Sequence, residues 1–287
     1  MANLKEIRNR IASVSSTMQI TSAMKMVSAA KLKKAQDAIT TLRPYANKQT
    51  ELLQNLSANL SGDVGGEFTV NREVKKVLLV AISSNRGLAG AFNSSIVKGC
   101  NALIAKSYAD KQVDFFTLGK KANDIIIKEH TVLENNIEIF DDLTFKNNVI
   151  VAQKLMDLFT DGTYDKVVLV YNKFKNAATQ ILTTEQFLPI EAIESEDKTV
   201  AVDYIYEPSK ERIVEELIPK SLKMQLFKAL RDSFASEHGA RMTAMHKATD
   251  NATELRDELN LQYNKARQAS ITNEILEIVG GAEALAG

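Results

Sequence analysis

A heptad pattern of apolar residues runs through the first 58 residues and constrains the fold more than any other feature. No glycine occurs before Gly62. Spacings that alternate between three and four residues over such a length are typical of a coiled-coil helix. The pattern predicts one helix over about residues 3–58, roughly 80 Å long, with a kink at Pro44. Its two seam positions hold Leu4, Ile11, Met18, Lys25, Leu32, Ile39 and Leu53, and Ile7, Val14, Thr21, Ser28, Ala35, Leu42 and Leu56.

A second long helix is predicted at the other end of the chain. Pro208 and Ser209 form a helix-start signal, Pro219 is expected to break or bend the helix, and Gly280 with Gly281 is expected to end it. A long helix needs a partner along its length, so we expect the two helices to wind around each other antiparallel. The seam again alternates by three and four and is rich in alanine: Met245, Ala248, Ala252, Leu255, Leu259, Gln262, Ala266, Ala269, Asn273 and Leu276.

The middle of the chain alternates short apolar runs with helical patterns. Continuous β-branched runs predict buried parallel strands, and a further run predicts an edge strand. Between them, apolar residues recur at helical spacing. The predicted strands are 75–83, 113–118, 166–171 and, at the edge, 180–188, and the predicted helices cover about 96–104, 120–128 and 147–160.

These elements predict the α/β fold class. We expect a long antiparallel coiled coil of the N- and C-terminal helices with an inserted Rossmann-like α/β domain. The predicted division is an N-terminal helix over 1–58, an α/β domain over 59–207 and a C-terminal helix over 208–287.

The net charge is zero, with 36 basic and 36 acidic residues, but the charges are unevenly distributed. Residues 1–58 carry nine Lys/Arg and three Asp/Glu, residues 59–207 sixteen and twenty-one, and residues 208–287 eleven and twelve. By these counts the first helix is a basic element attached to an acidic domain. The neutral sum argues against a nucleic-acid-binding protein, which needs a basic excess.

The turn after the first predicted strand lies where this fold binds nucleotides. It reads Arg86-Gly-Leu-Ala-Gly-Ala-Phe92, which is neither GxGxxG nor GxxxxGK[ST]. We interpret it as a tight strand-to-helix turn that needs glycine.

Cys100 lies on an apolar helix face and is interpreted as a buried small hydrophobe. One cysteine also indicates a reducing compartment.

The histidines and paired carboxylates give no catalytic or metal site. His238 and His246 are eight residues apart on one helix and cannot share a tetrahedral metal, and His130 has no partner by spacing. Asp141-Asp142 and Glu215-Glu216 are interpreted as solvated charge. We therefore expect no enzyme activity in this chain, no cofactor and no metal. The longest apolar run, residues 77–82, is too short to cross a membrane.

Two stretches break their local patterns. The first seam turns polar around Lys25, and residues 264–273 are polar ahead of an apolar tip. Each can be a solvated helix face, or the two can contact a partner that holds both helices. In an antiparallel pair, residues near 25 and 265 can lie at comparable depth, which favours the partner.

Three segments resemble the gamma-subunit family of the rotary F-type ATP synthases. They are MANLKEIRNRIASVSSTMQITSAMKMVSAAKLKKAQ at the N-terminus, SSNRGLAGAFN in the middle and YNKARQASITNEILEIVGGAEAL at the C-terminus. The resemblance covers essentially the whole chain. It implies that the paired helices form a central shaft inside a hexamer of alpha and beta subunits. The α/β domain would be a foot on the epsilon subunit and the ring of c subunits, which proton or sodium flow turns. The family member itself binds no nucleotide and contributes no catalytic residue.

The resemblance also implies contact residues. The beta-subunit contact would use Arg267, Gln268 and Thr272, with Met24 and Lys25 opposite. There, basic side chains would face an acidic segment of the beta subunit, and only close charges would contribute. The hexamer sleeve would surround Ile275, Leu276, Ile278, Val279 and Leu285, and the c-ring contact would use Tyr204, Tyr206 and Glu207.

The source and location are expectations of the same kind. The dithiol insertion of the plant chloroplast form and an import presequence are both lacking, which favours a bacterial chain on the cytoplasmic face of the cell membrane, attached through partners only. Two alternatives stay open. One is a static coiled-coil scaffold or adaptor, and the other is a nucleotide-dependent enzyme built on the middle domain.

Overall fold

The computed structural model describes residues 4–58, 66–70, 72–190 and 210–286. The chain divides into two compact units. The coiled-coil unit comprises the N-terminal residues to Ser28 together with the residues from Met242 onward, and the α/β unit is Ala29–Arg241. These bounds differ from the predicted division at residues 58 and 207, because the α/β unit includes a part of each long helix.

The two terminal helices are α1 (Leu4–Ala58) and α5 (Lys210–Ala286). The predicted first helix is confirmed, and its seam is buried within the α/β unit at Leu32, Ala35 and Ile39. The predicted start signal of the second helix, Pro208 with Ser209, lies outside the described residues.

Of the predicted break or bend at Pro219 the structure excludes the break, and the predicted end at Gly280 is wrong, because α5 runs through both residues. Proline inside a helix costs about 3 kcal/mol, but its neighbours Ile218 and Leu222 are buried in the core of the α/β unit and hold the helix there. A helical glycine costs only about 1 kcal/mol relative to alanine, which the alanine-rich end tolerates.

The sheet has the order β3-β2-β1-β4-β5. The first four strands are parallel, and β5 is antiparallel to β4. This confirms the Rossmann-like prediction, including the edge position of β5. The strands are β1 (Lys76–Ile82), β2 (Gln112–Leu118), β3 (Val132–Asn136), β4 (Lys166–Phe174) and β5 (Gln180–Leu188).

Strand β3 was not predicted from the sequence. Its sequence, VLENN, contains neither an apolar run nor an enrichment in β-branched residues, which are the signals of a strand. In the structure none of its residues is fully buried. Pairing with β2 defines it. The connecting helices were predicted and are α2 (Phe92–Ser107), α3 (Lys120–Ile126) and α4 (Phe145–Thr160).

Alternate residues of β1 point into two separate cores. Leu78 and Val80 pack with α4 and with residues 218–230 of α5. Leu79 and Ala81 pack with α2, α3 and Ala240 of α5. Both faces of the sheet are therefore covered by helices, as an all-parallel core requires.

We expect Gly119→Ala to destabilise the α/β unit strongly. Gly119 follows β2 with φ of 103°, and an added Cβ would collide with the Ser83 carbonyl. Strain and overlap together should lower the free energy of unfolding by about 3 kcal/mol, measured by urea denaturation. Gly280→Ala is the control, since nothing lies within 4 Å of its added Cβ. An equal loss in both variants would contradict this account.

Candidate functional site

The crevice where this fold binds ligands lies beyond the carboxyl ends of β1 and β4, at the point where the strand order reverses. Here α5 occupies it. Ala240 packs with the β1 core, and an added Cβ on Gly239 would lie 3.2 Å from Cα of Ala177 in the loop after β4. The crevice is filled by the chain itself.

Arg241 connects α5 to the turn after β1. Its Nη2 donates to the carbonyls of Arg86 at 3.1 Å and Gly87 at 3.3 Å. Its Nη1 donates to Glu237 Oε1 at 2.6 Å. Arg241 and Glu237 are 6% and 8% exposed, so this is a buried, charge-assisted pair.

The same turn is held from inside the α/β unit. Ser84 N donates to Asn93 Oδ1 at 3.0 Å, and Ser84 Oγ donates to the Arg86 carbonyl at 2.7 Å. Positive φ angles occur at Leu88 (62°) and Gly90 (57°). The interpretation as a tight turn is confirmed, and its carbonyls, rather than its N–H groups, face Arg241.

His238 lies beside this pair and is uncharged at neutral pH. Burial, then the positive charges of Arg241 and Lys31, lower the pKa of His238 to about 4. Its ring packs edge-on against Phe234 with centroids 4.5 Å apart. Burial also raises the pKa of Glu237.

The other histidines and the cysteine each have their own neighbours. His130 packs on Phe115 with centroids 5.1 Å apart, and His246 Nδ1 lies 3.4 Å from Asp250. Cys100 is fully buried, which raises its pKa to about 12, as expected for a structural thiol. Within residues 4–58, 66–70, 72–190 and 210–286, no three His, Cys, Asp or Glu residues are placed to hold a metal.

The paired carboxylates predicted as solvated are exposed where the structure describes them. Asp141, Asp142 and Glu216 are at the surface, while the Glu215 side chain lies outside the described residues. Among the helices of the described segments, none is long and apolar enough to cross a membrane.

Cross-helix contacts in the coiled-coil unit define its register. Arg8 Nη2 donates to Tyr263 Oη at 2.7 Å, and Thr249 Oγ1 donates to Thr21 Oγ1 at 2.8 Å. The paired residue numbers add to about 271, so α1 and α5 run antiparallel here, as predicted.

The polar seam positions of α1 are packed rather than solvated. Thr21 is 8% and Ser28 2% exposed. Their hydroxyls also donate to carbonyls one turn earlier, at Met18 and Met24. Interpreting these two positions as a solvated face is therefore wrong. Lys25 differs, because it is half-buried and its Nζ lies 3.3 Å from His246 Nδ1.

The structure corrects the expected depth of the contact residues. Lys25 pairs with His246, whereas Arg267 is 21 residues further along α5, about 30 Å at the helical rise. By the observed register, Arg267 is level with Leu4. Met24 and Lys25 therefore do not lie opposite the C-terminal polar stretch.

The C-terminal contact residues predicted from the sequence are exposed. Arg267, Gln268 and Thr272 face solvent, and Thr272 Oγ1 donates to the Gln268 carbonyl at 2.9 Å. The apolar tip is exposed too, at 50–71% for Ile275, Leu276, Ile278 and Val279. The side chain of Leu285 lies outside the described residues.

Tyr204, Tyr206 and Glu207, the predicted c-ring contact, lie outside the described residues, so their role stays a prediction.

The buried pair of Glu237 and Arg241 was missed by sequence analysis. Its only sequence signal is an acidic and a basic residue four apart around a glycine, within an otherwise alanine-rich stretch.

Comparison with known proteins gives one consistent result. The family model described as ATP synthase matches residues 3–285. A relative named ATP synthase gamma chain, from Flavobacterium psychrophilum, is 70% identical over 100% of both chains.

Two solved structures that resemble this chain come from mitochondrial ATP synthases. A chain of the Tetrahymena thermophila central stalk and c-ring structure is 27% identical with a TM-score of 0.62, over 80% of this chain and 99% of that one. A chain of the Euglena gracilis OSCP/F1/c-ring structure is 23% identical with a TM-score of 0.74, over 98% and 94%. The second likeness concerns the fold alone.

We expect His238 to make stability fall as the pH falls from about 6.5 to 4. In that range the unfolded chain binds the proton and the folded chain does not, so acid favours unfolding. His238→Gln should remove a loss of roughly 3 kcal/mol across the window. Unfolding free energies of both chains over this pH range give the difference. Glu237 and Asp232, whose pKa values burial raises, act with the opposite sign and remain in both. Parallel pH profiles would contradict the prediction.

Proposed function

The chain belongs to the ATP synthase gamma-chain family, and on that basis we propose that it is the central rotor subunit of a bacterial F-type ATP synthase. Rotation of the membrane c-ring would turn the chain inside a hexamer of alpha and beta subunits. Each orientation would favour different conformations of the three beta subunits, which couples rotation to ATP synthesis. The observation that carries this proposal is the 70% sequence identity, over the full length of both chains, to a protein named ATP synthase gamma chain.

The shape of α5 supports a role inside a surrounding partner. Beyond the level of Leu4 in the observed register, α5 continues for about 20 residues to Ala286. Its large apolar side chains from Ile271 to Val279 are exposed, and clustered exposed apolar residues mark interaction surfaces. We propose that Ile275, Leu276, Ile278, Val279 and Leu285 turn within an apolar sleeve of the hexamer.

The corrected register divides the proposed beta-subunit contact into two levels. Arg267, Gln268 and Thr272 would act at one, and Met24 and Lys25 at another, about 30 Å away along the helices. At an ionic strength near that of cells, charges are screened over about 8 Å. Lys25 and Arg267 would therefore need separate acidic partners on the beta subunits.

The chain itself would contribute no catalytic group. The nucleotide crevice of its fold is filled by α5 through Gly239 and Arg241, which supports a non-catalytic subunit over a nucleotide-dependent enzyme. Its membrane attachment, on the cytoplasmic face, would be through the epsilon subunit and the c-ring. We propose that Tyr204, Tyr206 and Glu207 contact the ring.

The test of the rotor against a static scaffold is direct observation of rotation. A bead attached to the α/β unit of the assembled complex should turn continuously in one direction while ATP is hydrolysed. A bead that stays fixed while hydrolysis proceeds would favour the scaffold.

Replacement of Arg267 and Gln268 by alanine should weaken coupling without unfolding the chain. Both side chains are exposed, so the unfolding midpoint should hardly move, while loss of interface contacts costs about 1–2 kcal/mol. ATP-driven proton pumping per ATP hydrolysed should fall. Lys106→Ala with Gln112→Ala, a matched basic and amide pair exposed on the α/β unit, is the control. Unchanged pumping in the Arg267/Gln268 variant would overturn the assignment.

Charged substitutions at the tip should weaken assembly selectively. Leu276→Asp with Ile278→Asp should change the stability of the free chain by less than about 0.5 kcal/mol, since both residues are exposed. Hexamer affinity should fall by about tenfold or more, because the carboxylates would be buried without partners. Ile150→Asp, at an equally exposed apolar residue of α4, should leave affinity unchanged. Equal affinities for all three chains would exclude the sleeve contact.

A further inference from the structure

The filled crevice places a helix where the fold ordinarily holds a ligand. Residues 237–241 of α5 lie between the turn after β1 and the loop after β4, in contact with both. A ligand at this position is held by both loops. Here the loops hold a segment of a 77-residue helix.

Hydrogen bonds on one side define the rotation of this segment about its own axis. The guanidinium of Arg241 donates to two successive carbonyls, those of Arg86 and Gly87. Its other edge donates to Glu237 one turn earlier on α5. Because the guanidinium is planar with fixed donor directions, a small rotation of α5 would misalign both bonds to the turn.

Close packing on the other side prevents the segment from moving away. Gly239 lies against the loop after β4, where a Cβ would be 3.2 Å from both Cα and the carbonyl oxygen of Ala177. That loop is itself tied by Asn176 Oδ1, which accepts from Thr179 N at 2.7 Å. The helix is thus held between a hydrogen-bonded side and a contact side.

Several hydrogen bonds attach α5 to the other elements of the α/β unit, and we call the residues that make them anchors. Among the described residues, Arg241 is the last anchor along the helix. Earlier ones are Asn148 Nδ2 donating to the Lys223 carbonyl at 2.7 Å, Gln225 Nε2 to the Gln186 carbonyl at 3.0 Å, and Arg231 Nη2 to the Leu143 carbonyl at 2.6 Å. The α/β unit ends at Arg241, and α5 continues from Met242 as one of the two helices of the coiled-coil unit.

We propose that Arg241, with Glu237 and Gly239, is a torque-transmitting clamp: a positioning site that fixes the rotational angle of α5 on the α/β unit. This rests on the proposed rotor function. These contacts follow one another along the helix. The last one therefore determines how far α5 can rotate about its axis, relative to the sheet, before the coiled coil begins. Loss of Arg231 leaves Arg241 in place, whereas loss of Arg241 leaves no later anchor in the α/β unit.

The test uses the complete complex in sealed vesicles and measures protons pumped per ATP hydrolysed. Glu237→Met with Arg241→Met removes both charges together, which avoids leaving one buried charge unpaired. We expect hydrolysis to continue while the proton-to-ATP ratio falls by about twofold or more. Arg241→Lys should be intermediate, since an ammonium lacks the planar fork. Arg231→Met, at a half-buried arginine of the same helix that also donates to a loop carbonyl, is the control with an unchanged ratio.

A wild-type ratio in the double variant would overturn the clamp. So would a loss confined to the amount of complex assembled, which a merely structural role predicts. If the double variant does not assemble, Gly239→Ala tests the same site more gently, and its ratio should also fall; an unchanged ratio overturns the proposal. Absence of rotation in the wild-type complex would instead refute the rotor function itself, so the two failures are distinguishable.

Discussion

The requirement that a 77-residue helix be covered along its length governs this structure. Helical propensity alone stabilises only marginal helices in water, and tertiary packing supplies most of the stability. Three successive parts of α5 have three different surroundings. Residues 218–241 pack on the sheet within the α/β unit, residues from Met242 to about Arg267 pair with α1, and the remainder has no counterpart among the described residues of the chain. The proposed hexamer supplies the third partner.

The two buried carboxylates among the described residues of the α/β unit, Asp232 and Glu237, are each paired with an arginine, and each pair fixes a helix. Arg43 of α1 donates both to Asp232 Oδ1 of α5 and to the Phe174 carbonyl at the end of β4, each at 3.2 Å. Arg241, paired with Glu237 on the same helix, donates to the Arg86 and Gly87 carbonyls and so connects α5 to the turn after β1. Such pairs add little net stability, because desolvation offsets attraction. Their directional bonds, however, select one register of each helix on the sheet, which apolar packing alone leaves less defined.

Periodicity determined what could be predicted from the sequence. The heptads located α1 and the seam of α5, and apolar runs located four of the five strands. Register was not predictable, because small residues such as Ala252 and Thr249 fit several alignments equally well. Specific cross-helix pairs such as Arg8 with Tyr263 and Lys25 with His246 define it, and long-range pairing leaves no periodic signal. The same holds for the bonds from Arg241 to the Arg86 and Gly87 carbonyls, which lie about 155 residues away in the sequence.

The C-terminal tip of α5 and its segment at Arg241 use opposite kinds of interaction. The difference suits a rotor subunit whose tip must turn inside a partner while the segment at Arg241 is held at one angle. Apolar contact is non-directional, so the exposed side chains from Ile275 to Val279 would favour no particular angle inside a sleeve. Charge-assisted hydrogen bonds depend steeply on angle, so the Arg241 contacts favour one angle only. Between them, the seam at Thr21 and Thr249 combines small side chains with a cross-helix hydrogen bond. That combination keeps the two helices close and in register over the distance that torque would travel.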